Sequence, residues 1–125
     1  MLDTPFELVI VHSDHAFSQS LAPLARRAGF EVRIVQTLAQ ASNAPQGRAF
    51  DFLLAGVDEV GALDMQQIKM LLRTMPGLRV IALLGQDMGS YEDLLRQSGV
   101  SMILMRDLPV RQIAQFLESQ AELRQ

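Results

Sequence analysis

Five short apolar runs punctuate the chain: LVIV at 8–11, VRIV at 32–35, FLLA at 52–55, VIALL at 80–84 and MILM at 102–105. Runs of four or five residues have strand length. Their continuity predicts burial on both faces, as in a parallel sheet with helices on each side. Arg33 interrupts the second run and Gln36 follows it, so that strand is expected at a sheet edge.

Between the runs the apolar positions change to helical spacing. Phe17, Leu21, Leu24 and Ala28 recur at i, i+4, i+7 and i+11, a single stripe that ends at Gly29. Pro23 falls inside this helix and is expected to kink it or weaken one backbone bond. A second, poorer helix is expected over 38–44, cut by Pro45 and Gly47. The third, over 64–75, presents Met65, Ile68, Leu72 and Met75 and stops at Pro76-Gly77. SYED at 90–93 reads as a capping-box start for a fourth helix that ends at Gly99. The fifth starts near Pro109 and presents Val110, Ile113, Ala114 and Leu117. Strand and helix thus alternate five times, which predicts an α/β fold: a (βα)5, doubly wound, five-stranded parallel sheet. The expected domain covers 1–118, and SQAELRQ at 119–125 reads as a polar helix extension or linker stub.

Composition narrows the function more than the fold. The apolar fraction of 49% and charged fraction of 20% fit a folded domain. A net charge of −3, with ten arginines and a single lysine scattered along the chain, offers no basic field for nucleic acid. No cysteine is present, so there is no thiolate nucleophile or metal ligand. The acidic start MLDTPFE resembles no signal peptide, and no apolar run approaches the ~18 residues of a membrane span. A cytoplasmic domain is the expectation.

The first strand runs into His12, Ser13, Asp14 and His15, at the sheet edge where open α/β folds keep their chemistry. Ser13 beside a histidine lacks a G-x-S-x-G elbow and an orienting acid, which argues against a hydrolase. Neither phosphate-loop nor dinucleotide glycine motifs occur, and one hydroxyl after the first strand is too few for a flavin phosphate. His12 and His15 would meet at a metal only if the turn between them curled helically. Otherwise His12 fills a pocket and hydrogen-bonds a loop carbonyl, while His15 lies on a helix surface. The residual acids Asp14, Asp58 and Glu59 lie near the same edge and are the candidates for a hard-cation site. The competing assignment makes Asp14 a helix cap and the other two solvated loop acids. Met65 and Met75 read as core filler, Met70 and Met88 as candidates for exposure, and Arg26-Arg27 as a solvated pair.

LVIVHSDHAF at 8–17, FDFLLAGVDEVGALD at 50–64, LRVIALLG at 78–85 and SGVSMILMRDLP at 98–109 resemble, in order and spacing, the landmarks of the receiver domain of bacterial response regulators. The resemblance covers about residues 7–117 and implies the strand order 2-1-3-4-5. It also implies a phosphorylation site: an acidic pair after the first strand holding Mg²⁺, an acceptor aspartate ending the third, a hydroxyl after the fourth and a lysine after the fifth. Phosphoryl transfer depends on positioning and charge neutralisation, so loss of these groups removes the catalyst. This chain departs at each position. His12 and Ser13 stand at the acidic pair, Gly56 at the acceptor, Leu84 at the switch hydroxyl and Arg106 at the lysine. Ile103 takes the place of the switching aromatic and Asp107 that of the proline after the lysine.

The resemblance therefore implies a pseudo-receiver: not an enzyme, without metal or other cofactor, acting through a protein partner. The family's usual dimer face would present Tyr91, Arg96, Ile103, Arg111, Gln112, Gln115 and Glu118, with Arg111 and Glu118 suited to a two-fold contact. The expected setting is the N-terminal part of a larger bacterial protein, for example a ParA/MinD-like pilus-localisation ATPase or a transcriptional regulator. The alternative is a ligand-gated receiver that binds a small anion, nucleotide or metal among His12, Ser13, Gly56 and Arg106. An active receiver using a displaced acid such as Asp58 is the third reading.

Overall fold

Strands covered on both faces must bury consecutive side chains, and the computed structural model shows where those side chains go. It describes residues 6–12, 14–42, 50–57, 62–85 and 91–124. The elements in order are β1 (Glu7–Val11), α1 (His15–Arg27), β2 (Glu31–Val35), α2 (Leu38–Ser42), β3 (Phe52–Val57), α3 (Ala62–Thr74), β4 (Arg79–Leu84), α4 (Glu92–Gln97), β5 (Met102–Met105) and α5 (Val110–Arg124). The five strands are parallel in the order β2-β1-β3-β4-β5, as expected.

Alternation along each strand splits the core in two. Val9, Val11, Leu53, Ala55, Val80, Ala82 and Leu84 point to one face, with Leu38 and Ala41 of α2, Ile68 and Leu71 of α3 and Leu95 of α4. Leu8, Ile10, Phe52, Leu54, Ile81 and Leu83 point to the other, with Leu21 and Ala25 of α1 and Ile113, Ala114, Leu117 and Ala121 of α5. Arg33 in the edge strand β2 reaches back to Glu7, Nη2 to Oε2 4.0 Å, so the interruption in that run is a half-buried charge pair.

The element ends agree with expectation in part. The α1 helix runs up to Gly29 with Pro23 inside it at an exposed position, as expected. α2 is described only to Ser42, and Pro45 and Gly47 lie outside the described residues, as does Met88. α3 begins two residues before Asp64. It buries Leu71 beside Ile68 and leaves Leu72 and Met75 half-buried, a broader stripe than one residue per turn. The N-cap of α4 is Tyr91, whose side chain makes no capping bond, instead of Ser90, which lies outside the described residues. α5 runs on to Arg124 with Gln120 and Ala121 buried, and Arg79 Nη1 donates to Gln120 Oε1 at 3.3 Å.

Two glycines end helices in the left-handed region. Gly29 has φ 103°, and Phe30 N–H returns to Ala25 C=O at 3.1 Å; Gly99 has φ 101°, and Val100 N–H returns to Leu95 C=O at 3.2 Å. Both are Schellman closures with an apolar contact across them. A Cβ at Gly99 would lie 2.5 Å from Leu72 Cδ1, whereas one at Gly29 meets nothing within 4 Å. Gly29→Ala is therefore expected to cost about 1 kcal/mol and Gly99→Ala about 2 kcal/mol in urea unfolding. Equal costs would deny the Leu72 contact a role.

Candidate functional site

β1 and β3 are neighbours in the sheet, with Val11 opposite Ala55, so the residues that follow, His12 and Gly56, end side by side at the C-terminal sheet edge. β4 and β5 bring up the other two positions. Leu84 ends β4, and Arg106 follows β5, its N–H donating to the Leu84 carbonyl at 2.9 Å. Four positions distant in sequence thus share one sheet edge because parallel strands all end there. Ser13, Asp58 and Glu59 lie outside the described residues.

His12 dominates this edge. Its side chain is 4% exposed and its ring stacks on Phe17, centroids 4.4 Å apart at 26°. On its other side it lies against Gly56. A Cβ built on that glycine would sit 2.5 Å from Cδ2 and 2.9 Å from Nε2 of the ring. No side chain at position 56 fits while the imidazole is there. The ring is held by Asp14 N–H, which donates to Nδ1 at 3.0 Å, and not by the expected loop carbonyl. A carbonyl bonded at Nδ1 would have required a proton there. The observed bond fixes the opposite tautomer, with hydrogen on Nε2. Among the described residues Nε2 has no partner.

Burial, and next the positive charge of Arg106, push the His12 pKa below its ordinary value of 6.5, while Asp14 pulls it up less strongly. The sign follows by linkage. The unfolded chain takes up the proton before the folded one, so this histidine's contribution to stability is complete above pH 6.5 and is lost as pH falls through the depressed folded value. The stability of the wild type is expected to drop over that window, and that of His12→Phe to drop less. Parallel curves for the two in urea unfolding would contradict it.

Asp14 caps α1, with Oδ1 accepting from Ala16 N–H at 2.9 Å and more weakly from Phe17 N–H at 3.4 Å. His15 is exposed and bonds the Gln36 amide at 3.0 Å, so the two histidines do not share a site. Leu84 is buried in the same core cluster as Val11 and Ala55, and its side chain brings no polar atom. The fold family implies Mg²⁺ at this edge. The described residues do not fit it: a neutral imidazole bound through Nδ1, a glycine, a leucine and an arginine replace the convergent oxygens that a hard cation takes. Among the described residues no three His, Asp or Glu side chains gather to hold a metal.

The second candidate region is α4, β5 and α5. Arg111, Gln115 and Glu118 recur one turn apart on the exposed side of α5, with Gln112 beside them. Arg96 is exposed and paired with Glu92 at 3.4 Å, Tyr91 is half-buried, and Ile103 packs inward against the core. Sequence reasoning missed Leu94 and Met105, which are 48% and 42% exposed. The signal was available in a helix of six residues, where only one of the adjacent leucines, Leu95, can face the sheet. Phe17 was read as part of the α1 stripe, and its stack on His12 was not foreseen.

No family model matches the sequence, and no curated protein does so significantly. Solved structures do. A CheY-like receiver domain from Methanospirillum hungatei JF-1 superposes with a TM-score of 0.81 at 16% identity, over 94% of each chain. A putative pilus assembly-related protein from Burkholderia pseudomallei K96243 gives 0.79 at 22% identity, over 98% of this chain and 93% of the other. An orphan response regulator of Helicobacter pylori gives 0.79 at 8% identity, over 94% and 97%. The chain has the receiver fold seen in these solved structures. No described helix is long and apolar enough to cross a membrane.

Proposed function

We propose that this chain is a phosphorylation-independent receiver: a non-enzymatic signalling module that acts by binding protein, including a second copy of itself, in the bacterial cytoplasm. One observation carries the reading. The position that the resemblance assigns to the phospho-acceptor is Gly56, and the space a side chain would need there is filled by the His12 ring. With Leu84 and Arg106 at the neighbouring strand ends, neither an acceptor nor a hydroxyl reporter stands among these positions.

What remains is a surface. Leu94 and Met105 add apolar area to α4 and β5, and Arg111 and Glu118 on α5 offer opposite charges seven residues apart for a two-fold contact. Likeness in fold to a pilus assembly-related protein is the support for a setting of that kind, in which we place the chain as the N-terminal part of a larger protein.

Incubation with Mg²⁺ and acetyl phosphate, followed by intact-mass measurement, is expected to leave the mass unchanged. Gain of one phosphoryl group would overturn the reading. Arg111→Glu is expected to weaken self-association by about tenfold or more in sedimentation. Wild type and variant both remaining monomeric at high concentration would remove this face from the account.

A further inference from the structure

His12 is a buried side chain whose Nε2–H donor meets no acceptor among the described residues. An unmet buried donor is costly, and the ring keeps its place through one hydrogen bond and two packing contacts. Nδ1 accepts from Asp14 N–H, one face stacks on Phe17, and the Cδ2–Nε2 edge covers Gly56. That hydrogen bond exists only while Nδ1 is bare. We propose that the His12 imidazole is an acid-released plug: a proton on Nδ1 abolishes the bond from Asp14 N–H and turns the ring off the Gly56 backbone, opening the sheet edge between β1 and β3.

The charged groups facing the ring favour this sense of movement. Arg106, after β5, repels an imidazolium, and the Asp14 carboxylate, at the outer end by α1, attracts one. β3 presents the uncharged Gly56, and β2 presents the Val35 carbonyl, which accepts from His12 N–H at 3.4 Å. His15, on α1, is exposed and engaged by Gln36. A charged ring therefore leaves a positive neighbour for a negative one, and both of its N–H groups reach water. Because Asp14 also caps α1, the movement is felt at the start of that helix. The inference rests on the His12 geometry and stands whether or not the chain dimerises.

The test is an amide NMR titration of the whole chain from about pH 8 to about pH 5. The amides of Asp14, Phe17 and Gly56 are expected to move together, in step with the His12 ring proton, while those of Leu54 and Ile81 in the core stay in place. In His12→Phe, which keeps an aromatic ring over Gly56 without a titrating nitrogen, the three amides should not move. Gly56→Ala, whose methyl would meet Cδ2 at 2.5 Å, should give the acid positions of Asp14 and Phe17 already at neutral pH. Three results each overturn the proposal. His12 titrates with the three amides stationary; the same amides move equally in His12→Phe; or Leu54 and Ile81 shift with the same midpoint, which is unfolding of the domain. If Gly56→Ala does not fold, the comparison of wild type with His12→Phe decides.

Discussion

Phe52→Ala is expected to remove about 3–5 kcal/mol of folding stability, read as a lower urea midpoint with an unchanged slope. Phe52 opens the central strand β3, is fully buried, and meets two other rings edge-on: Phe6 at 5.7 Å and 84°, and Phe30 at 5.6 Å and 86°. Phe6 precedes β1 and Phe30 precedes β2, so one side chain ties the starts of three strands together. Truncation leaves a cavity between sheet and helix and removes two aromatic contacts worth about 0.5–1.5 kcal/mol each beyond their area. Against a total of about 5–15 kcal/mol for a domain, that is a large share. A loss under about 1 kcal/mol would mean that the rings do not pack as described.

The second large effect concerns the site itself. Gly56→Asp restores the residue type that the family resemblance places there, yet it is expected to destabilise by about 1–3 kcal/mol, the usual cost of overpacking. The new Cβ would lie 2.5 Å from His12 Cδ2, so the ring must move before the carboxylate can enter. Arg106 nearby would attract the aspartate, and this gain is available only once the ring has gone. Adding His12→Ala should therefore recover part of the loss, with a coupling of about 0.5–3 kcal/mol between the two positions in a double-mutant cycle. Additive costs would show that His12 and Gly56 do not exclude one another.

Much of the fold could be read because this architecture hides both faces of its inner strands. β1, β3 and β4 are apolar without alternation, and Arg33 marks β2 as the edge. Helix boundaries were harder. Leu71 and Leu72 are equally apolar, and only the angle at which α3 meets the sheet decides that Leu71 is the more deeply buried. The cap of α4 depended on a serine that reads well locally, whereas the helix begins after Tyr91. At the site, each departure from the family pattern could be read one residue at a time. That His12 lies in the space of a residue-56 side chain could not, because it depends on the ring's rotamer, on the Asp14 N–H that fixes it and on the Phe17 stack. The exposure of Met105 was hidden too, since it follows from how little of the sheet edge a six-residue α4 covers, whereas that of Leu94 could have been read from the pair Leu94-Leu95.

The central claim is that the sheet edge holding His12 and Gly56 no longer receives a phosphoryl group. Amide NMR spectra recorded before and after addition of Mg²⁺ with beryllofluoride, a phosphoryl mimic, test it most directly. The account predicts spectra that superimpose at His12, Gly56, Leu84 and Arg106. Saturable shifts clustered on those four residues would contradict it.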